Sequence, residues 1–490
     1  MPNDEPLSAA PAEPPSDVLT TASHGMLIRA ENADVVAIDE KGLTLRLSET
    51  VLAELRQRLA VNQPSPLDVA VMLGDIDAWN LRQEGEWLKF TGQLEAGVAA
   101  REYQRSIDGG DIIASAPGPI YALFSLGGAR RADFNEGPST FSHHILAPSD
   151  DIGAVGLEGT ALAKVSAGLQ RIPHCTRDAH LAETLLGWRR EGLRGLPLFL
   201  VRSETDASAA IADLGQGVAY ANFLTALESL VAAAASLGKR AKVLSVGIDF
   251  SIEDQSSTPA EFVKDFRALM AQIERDMARR NLQRPIFLAT FECGTRRVSD
   301  HAAIRAHWEL AWAHGTHQFA FSAPGYMFEQ TRFGRPTASA RIAMAEMDAH
   351  AIVALTNREP WACPLFLLAE YLGNEIRVTA QAMGDLVIED AFGAGPACGF
   401  SLSGTTAPVN ILSVAVALDD PKALILTCDG PPKGAAVELR YAFGATGSGP
   451  DAYPVNRGAV RDQWVSQSRT GRSLHRWALP AALPLHPGAR

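Results

Sequence analysis

The chain has 490 residues, 47% of them hydrophobic and 20% charged, with a formal net charge of -12. That length exceeds one ordinary domain, and the composition suits several globular ones able to bury a core. The acidic balance speaks against general nucleic-acid binding, which needs clustered Lys and Arg to meet phosphates, and the longest apolar runs, such as Val231 to Leu237, are too short to span a bilayer.

Residues 1–25 are expected to be a disordered arm, since Pro, Ala and the acids Asp4, Glu5, Glu13 and Asp17 offer little apolar area to bury. A signal peptide would start basic and continue apolar, so manufacture in the cytoplasm without one is expected. Five scattered cysteines make no close-spaced pair, which predicts buried thiols, no Cys-based metal site and no cofactor.

From 26 to 110 a small α+β module is expected. Val35–Ile38 and Leu43–Leu47 predict two strands about the turn Glu40-Lys41-Gly42, and Leu52, Leu55 and Leu59 predict one face of a helix over 49–59. Asp68–Leu73 and Trp87–Thr91 suggest further strands. With no catalytic signature, the module reads as a docking or oligomerisation element.

Between 111 and 360 apolar strands alternate with helices. Strands are predicted at Ile120–Phe124, Pro197–Val201, Ala241–Ile248, Pro285–Thr290 and His317–Phe321. One helix runs from Val218 to Leu237 and stops at Gly238, and the next opens with the cap Thr258-Pro259-Ala260-Glu261. Others are predicted over Asp300–His314 and Thr337–Leu355. This pattern predicts a parallel sheet covered on both faces, with ligands bound beyond the carboxyl ends of its strands. Ser125, Arg202, Asp249, Glu253, Asp254 and Glu292 occupy those ends. Past Pro360 short strands separated by Gly, Pro and Asp predict a β-sandwich over 361–490. Its tryptophans Trp361, Trp464 and Trp477 suit either a core or sugar stacking.

Three blocks carry a family resemblance: Leu123-Phe124-Ser125-Leu126-Gly127, Ser251-Ile252-Glu253-Asp254, and Arg332-Phe333-Gly334-Arg335-Pro336-Thr337. With the closing strand Val437–Gly444 they make residues 120–444 resemble the SGNH hydrolases, in their sialate O-acetylesterase-like branch. The resemblance implies a three-layer α/β domain with an accessory β-domain. It also implies Ser125 as nucleophile, with Glu253 and Asp254 in the neighbouring catalytic block. Where that family carries its aspartate and histidine, this chain has Arg332 and Arg335. A guanidinium stays protonated and cannot serve as a base. Rescue would need another group, such as His143, His144, His317, Glu253 or Glu292.

Two functions follow from that conflict. The first is a carbohydrate-binding spike or fibre protein of a phage-like particle or gene transfer agent, released by lysis. It would be homo-oligomeric and docked to a structural protein of the particle through the N-terminal module. Its partner would be a cell-surface polysaccharide or acidic sugar held by Arg332, Arg335, Arg202 and Glu292, with no nucleic acid and no membrane. The second is an active carbohydrate O-acetylesterase using Ser125.

Overall fold

A computed structural model of the chain describes residues 18–21, 25–29, 35–39, 42–46, 72–206, 210–295, 298–445 and 452–488. It divides into two compact units, Met1–Met72 and Leu73–Arg490.

The first unit holds four strands, Val18–Thr21 (β1), Gly25–Arg29 (β2), Val35–Asp39 (β3) and Gly42–Arg46 (β4), paired antiparallel in chain order. The expected β3–β4 pair forms with Val35 opposite Arg46 and Asp39 opposite Gly42. Strand β1 shortens the arm expected over 1–25, because Val18–Thr21 finds a pairing partner in β2. The helix expected over 49–59 lies outside the described residues, as do positions 68–71 of the strand expected over Asp68–Leu73, whose last two residues, Met72 and Leu73, are helical instead.

The second unit opens with an antiparallel meander, Ala78–Glu84 (β5), Trp87–Gly92 (β6), Arg101–Ser106 (β7) and Gly109–Ala114 (β8). The module expected over 26–110 includes these strands, but they belong to the larger unit. Ala114 N donates to His143 O at 2.9 Å, and Arg171 N donates to Asp111 Oδ2 at 2.7 Å.

A seven-stranded sheet follows. In chain order its strands are Ile120–Gly127 (β9), Ile145–Pro148 (β11), Leu169–Arg171 (β12), Leu198–Thr205 (β14), Ala241–Asp249 (β15), Ile286–Phe291 (β16) and Phe319–Pro324 (β17). Phe134–Glu136 (β10) and His174–Thr176 (β13) pair separately. The spatial order is β12-β11-β14-β9-β15-β16-β17, parallel except for the edge strand β12. The apolar runs form strands because both faces are covered, and all eight residues of β14 are buried. The direction of strand addition reverses between β9 and β15, and such a reversal opens a crevice at the strands' carboxyl ends.

The helices are Arg177–Glu191 (α1), Ile211–Leu214 (α2), Val218–Ser236 (α3), Pro259–Arg279 (α4), Ala302–Trp312 (α5) and Ala338–Thr356 (α6). Each of the four helices predicted between 111 and 360 is present, as α3, α4, α5 and α6. The expected capping box forms at α4, where Thr258 and Glu261 exchange bonds, and Gly238 after α3 takes φ +61°. Strand alternation divides the packing. Phe124 meets Phe223 of α3, while its neighbour Ser125 meets Asp178 of α1. Helix α1 was not anticipated, although Thr176 caps it by accepting from Ala179 N at 3.2 Å.

The C-terminal region is β-rich. Leu365–Leu372 (β18), Glu375–Gln381 (β19), Phe400–Ser403 (β21), Ile411–Val416 (β22), Ala423–Cys428 (β23), Glu438–Tyr441 (β24) and Ala481–Pro487 (β27) form one sheet. Leu386–Ile388 (β20), Val460–Gln467 (β25) and Ser473–Trp477 (β26) form another. The segment 456–464 packs back onto the α/β part: Asn456 is fully buried and its Nδ2 donates to Cys293 O (3.0 Å) and Ser299 O (2.7 Å).

Candidate functional site

The crevice at the ends of β9 and β15 is built from side chains of alternating charge. Gly127, the last residue of β9, and Gly128 lead into the short helix Ala129–Ala132, which carries Arg130 and Arg131. A side chain at Gly128 would overlap the carboxyl of Glu253, and one at Gly247 would overlap the Arg131 guanidinium. Glycine at these two positions leaves room for the charged groups.

Arg131 is buried, with Nη2 donating to Asp178 Oδ1 (2.5 Å) and Nη1 to Asp249 Oδ2 (2.7 Å). Arg177, at the start of α1, grips Asp348 of α6 with Nε and Nη2, both at 2.7 Å. Its Nη1 donates to Asp249 Oδ2 (2.9 Å) and Thr290 Oγ1 (2.8 Å). Arg130 reaches Glu292 (2.7 Å), Ser251 Oγ (3.0 Å) and Glu253 (3.2 Å). Glu292 also accepts from Ser251 Oγ and from the backbone N of Cys293 (3.0 Å) and Gly294 (2.7 Å). Burial alone would raise Glu292 and Asp249, but Arg130 for the first, and Arg177 with Arg131 for the second, hold both carboxyls below their ordinary values.

Ser125 lies behind this lattice. It is fully buried, and its Oγ lies 2.6 Å from Asp178 Oδ2 and 2.9 Å from Ser203 Oγ. Ser203 donates in turn to Asp178 Oδ2 at 2.8 Å. Among the described residues its side-chain hydrogen bonds are to a carboxylate and a hydroxyl, and no imidazole takes part.

The histidines considered as bases lie elsewhere. Ile145 is level with Phe199, and Phe199 with Tyr121, so His143 and His144 sit at the amino end of the sheet. At ~3.3 Å per residue, Ser125 is more than about 13 Å further along the strands. His143 Nδ1 bonds Ile112 O at 2.8 Å, and His144 faces Glu95 and Arg101. His317 bonds Glu274 at 3.0 Å ahead of β17, three strands from β9. An imidazole near the lattice, His307, was missed. Its Nδ1 accepts from Glu292 N at 3.0 Å, and burial among Phe262, Phe291 and Phe321 pushes it down to about 4.

The remaining candidates separate. Glu292 lines the cleft and Glu253 pairs with Arg130 beside it. Asp254 is turned away and caps a loop, accepting from the backbone N of Ile211 (3.0 Å), Ser256 (3.1 Å) and Ser257 (3.0 Å). Arg202 was expected in the cleft, but strand alternation points it to the opposite face, where it pairs with Asp150. Arg332 and Arg335 do not line the cleft. Both are exposed on the loop above it, Arg332 lying 4.6 Å over the Phe333 ring and Arg335 bonding Asp133 at 2.5 Å. Arg341 of α6 takes the lining position instead, tied to Asn135 Oδ1 and Pro336 O, both at 2.7 Å. Trp361 and Trp464 pack against each other, His350 and Arg476, and Trp477 is buried against Phe392.

The cleft encloses about 70 Å³. That admits a few water molecules, at roughly 10–15 Å³ each, and is well below the roughly 300–1,000 Å³ of ordinary ligand pockets. Three arginines here (Arg130, Arg131, Arg177) face five carboxylates (Asp178, Asp249, Asp348, Glu253, Glu292), so the lattice itself does not attract anions. Among the described residues no group of three or more His, Cys, Asp or Glu could hold a metal ion.

Neither a family model nor a curated protein matches the chain. Among solved structures it is similar to a novel carbohydrate acetylesterase from Xanthomonas citri, with a TM-score of 0.49 and 13% identity over 82% of this chain and 96% of that one.

Proposed function

We propose that the protein is a binding protein on a three-layer, SGNH-like α/β scaffold, with a carbohydrate as its ligand, and that it does not hydrolyse esters through Ser125. The observation that carries this reading is the burial of Ser125 with its hydroxyl engaged by Asp178 and Ser203. Nucleophilic attack needs an accessible hydroxyl with a base beside it. The ligand surface in this reading is the loop over the cleft. It presents Phe333, 74% exposed, with Arg332 stacked on it and Arg335 alongside. An aromatic face with adjacent forked donors suits a sugar ring and its hydroxyls. A cell-surface polysaccharide as that sugar, and the setting of a particle spike, belong to the same proposal and rest on the family resemblance.

Two measurements test it. Hydrolysis of activated acetyl esters should be equal for the wild type and Ser125→Ala, and a clear advantage of the wild type restores the esterase reading. Phe333→Ala and Arg332→Ala should each weaken binding to a polysaccharide found by glycan array. Binding that ignores both variants removes the loop from the proposal.

A further inference from the structure

A second cavity lies at the amino end of the parallel sheet, away from the strand ends that form the cleft. It encloses about 500 Å³, within the ordinary range for a small-molecule site. Its floor is apolar: Tyr121 and Phe199 of β9 and β14, with ring centroids 5.7 Å apart, and Leu244, where the β15 register breaks. Trp188 of α1 and Val353 of α6 form its walls.

The rim carries Arg189 and Arg194. Every arginine of the crevice lattice is matched to a carboxylate. Among the described residues, by contrast, neither rim arginine has an ion-pair partner, and the one side-chain bond here is Arg189 Nε to Gly195 O at 2.8 Å. The backbone fixes Arg194 in place. Its N donates to Arg189 O at 2.8 Å across the end of α1, with Leu193 before it at φ +51° and 95% exposed. A left-handed position at a helix end is ordinarily glycine. Here the turn carries Arg194 to the rim of the groove.

We propose that this groove binds a small anionic amphiphile, with its apolar body on Tyr121, Phe199 and Trp188 and its carboxylate or sulfate between Arg189 and Arg194. The apolar floor supplies most of the binding, and the unmatched cations select the sign of the head group.

Titration calorimetry of the full chain with dodecanoate, and with dodecyltrimethylammonium as the charge-reversed control, tests this. Dodecanoate should bind saturably at one site and more tightly than the cation. The double variant Arg189→Ala/Arg194→Ala should lose that preference, weakening dodecanoate by about three- to tenfold. Val353→Trp, at a part-exposed position whose new ring fills the groove, should remove binding while leaving the thermal melt unchanged. Equal binding of the two head groups by the wild type overturns the proposal, as does saturable binding that neither variant alters. An absence of saturable dodecanoate binding overturns it as well.

Discussion

The end of β14 supplies two buried charge clusters that differ in how their carboxylates are satisfied. Ser203 joins the cluster of Asp178, Arg131 and Ser125, where three side-chain donors converge on one carboxylate. Its neighbours Arg202 and Glu204 point to the other face, where one arginine serves two carboxylates: it pairs with Asp150 and comes only to 3.7 Å of Glu204. Burial, outweighing Arg202, pushes Glu204 up to about 7. The contrast is one of donors: three reach the Asp178 carboxylate, whereas Arg202 is shared between two acids and leaves burial to dominate at Glu204.

The sharpest way to break the matched side is Arg177→Ala. It leaves Asp348, 1% exposed, without its bidentate partner and takes a donor from Asp249. Removing one member of a buried pair costs about 3–5 kcal/mol, so urea unfolding should show a loss of that order. A loss under about 1 kcal/mol would mean that water reaches the lattice.

The unmatched side is tested by pH. A carboxyl whose folded value is raised contributes stability that is fully present below its unfolded value near 4.5 and is lost as pH rises through about 7. Glu204→Gln removes that loss. Relative to the wild type, the variant should gain about 2 kcal/mol between pH 5 and pH 8. A difference independent of pH would show that Glu204 is ionised throughout. The smallest effect is expected from Ser203→Ala, which removes one of the donors to Asp178 and should cost about 1 kcal/mol. A much larger cost would mean that Ser125 and Arg131 cannot hold the carboxylate between them.

Much of the frame was legible from local pattern. Five apolar runs became β9, β14, β15, β16 and β17, and Gly238 and Thr258 marked helix ends where they occur. Helix α1 escaped notice although Thr176, Asp178 in its first turn and Gly192 at its end are ordinary boundary signals. The site was legible in part. The strand-end rule located Asp249, Glu253 and Glu292, which follow from where each strand stops. It could not pair them, because Arg130, Arg177 and Asp348 come from three separate elements whose closure is tertiary. The loop arginines misled for a related reason. The family resemblance put Arg332 and Arg335 at the crevice, yet the backbone hydrogen bonds Thr331 N–Arg335 O (2.7 Å) and Gly334 N–Thr331 O (2.9 Å) hold a tight turn on which both are exposed.

Arg469 bonds Glu183 of α1, 286 positions earlier in the chain, and its backbone N donates to Glu346 of α6 at 3.0 Å. Strand β27 likewise pairs in parallel with β18, Ala369 opposite Leu485. During synthesis at roughly 5–20 residues per second, the helices that carry Arg177 and Asp348 are complete well before the segment that ties them together has been made. A chain ended by a stop codon short of residue 469 lacks the tie between α1 and α6, although it keeps every residue that lines the crevice.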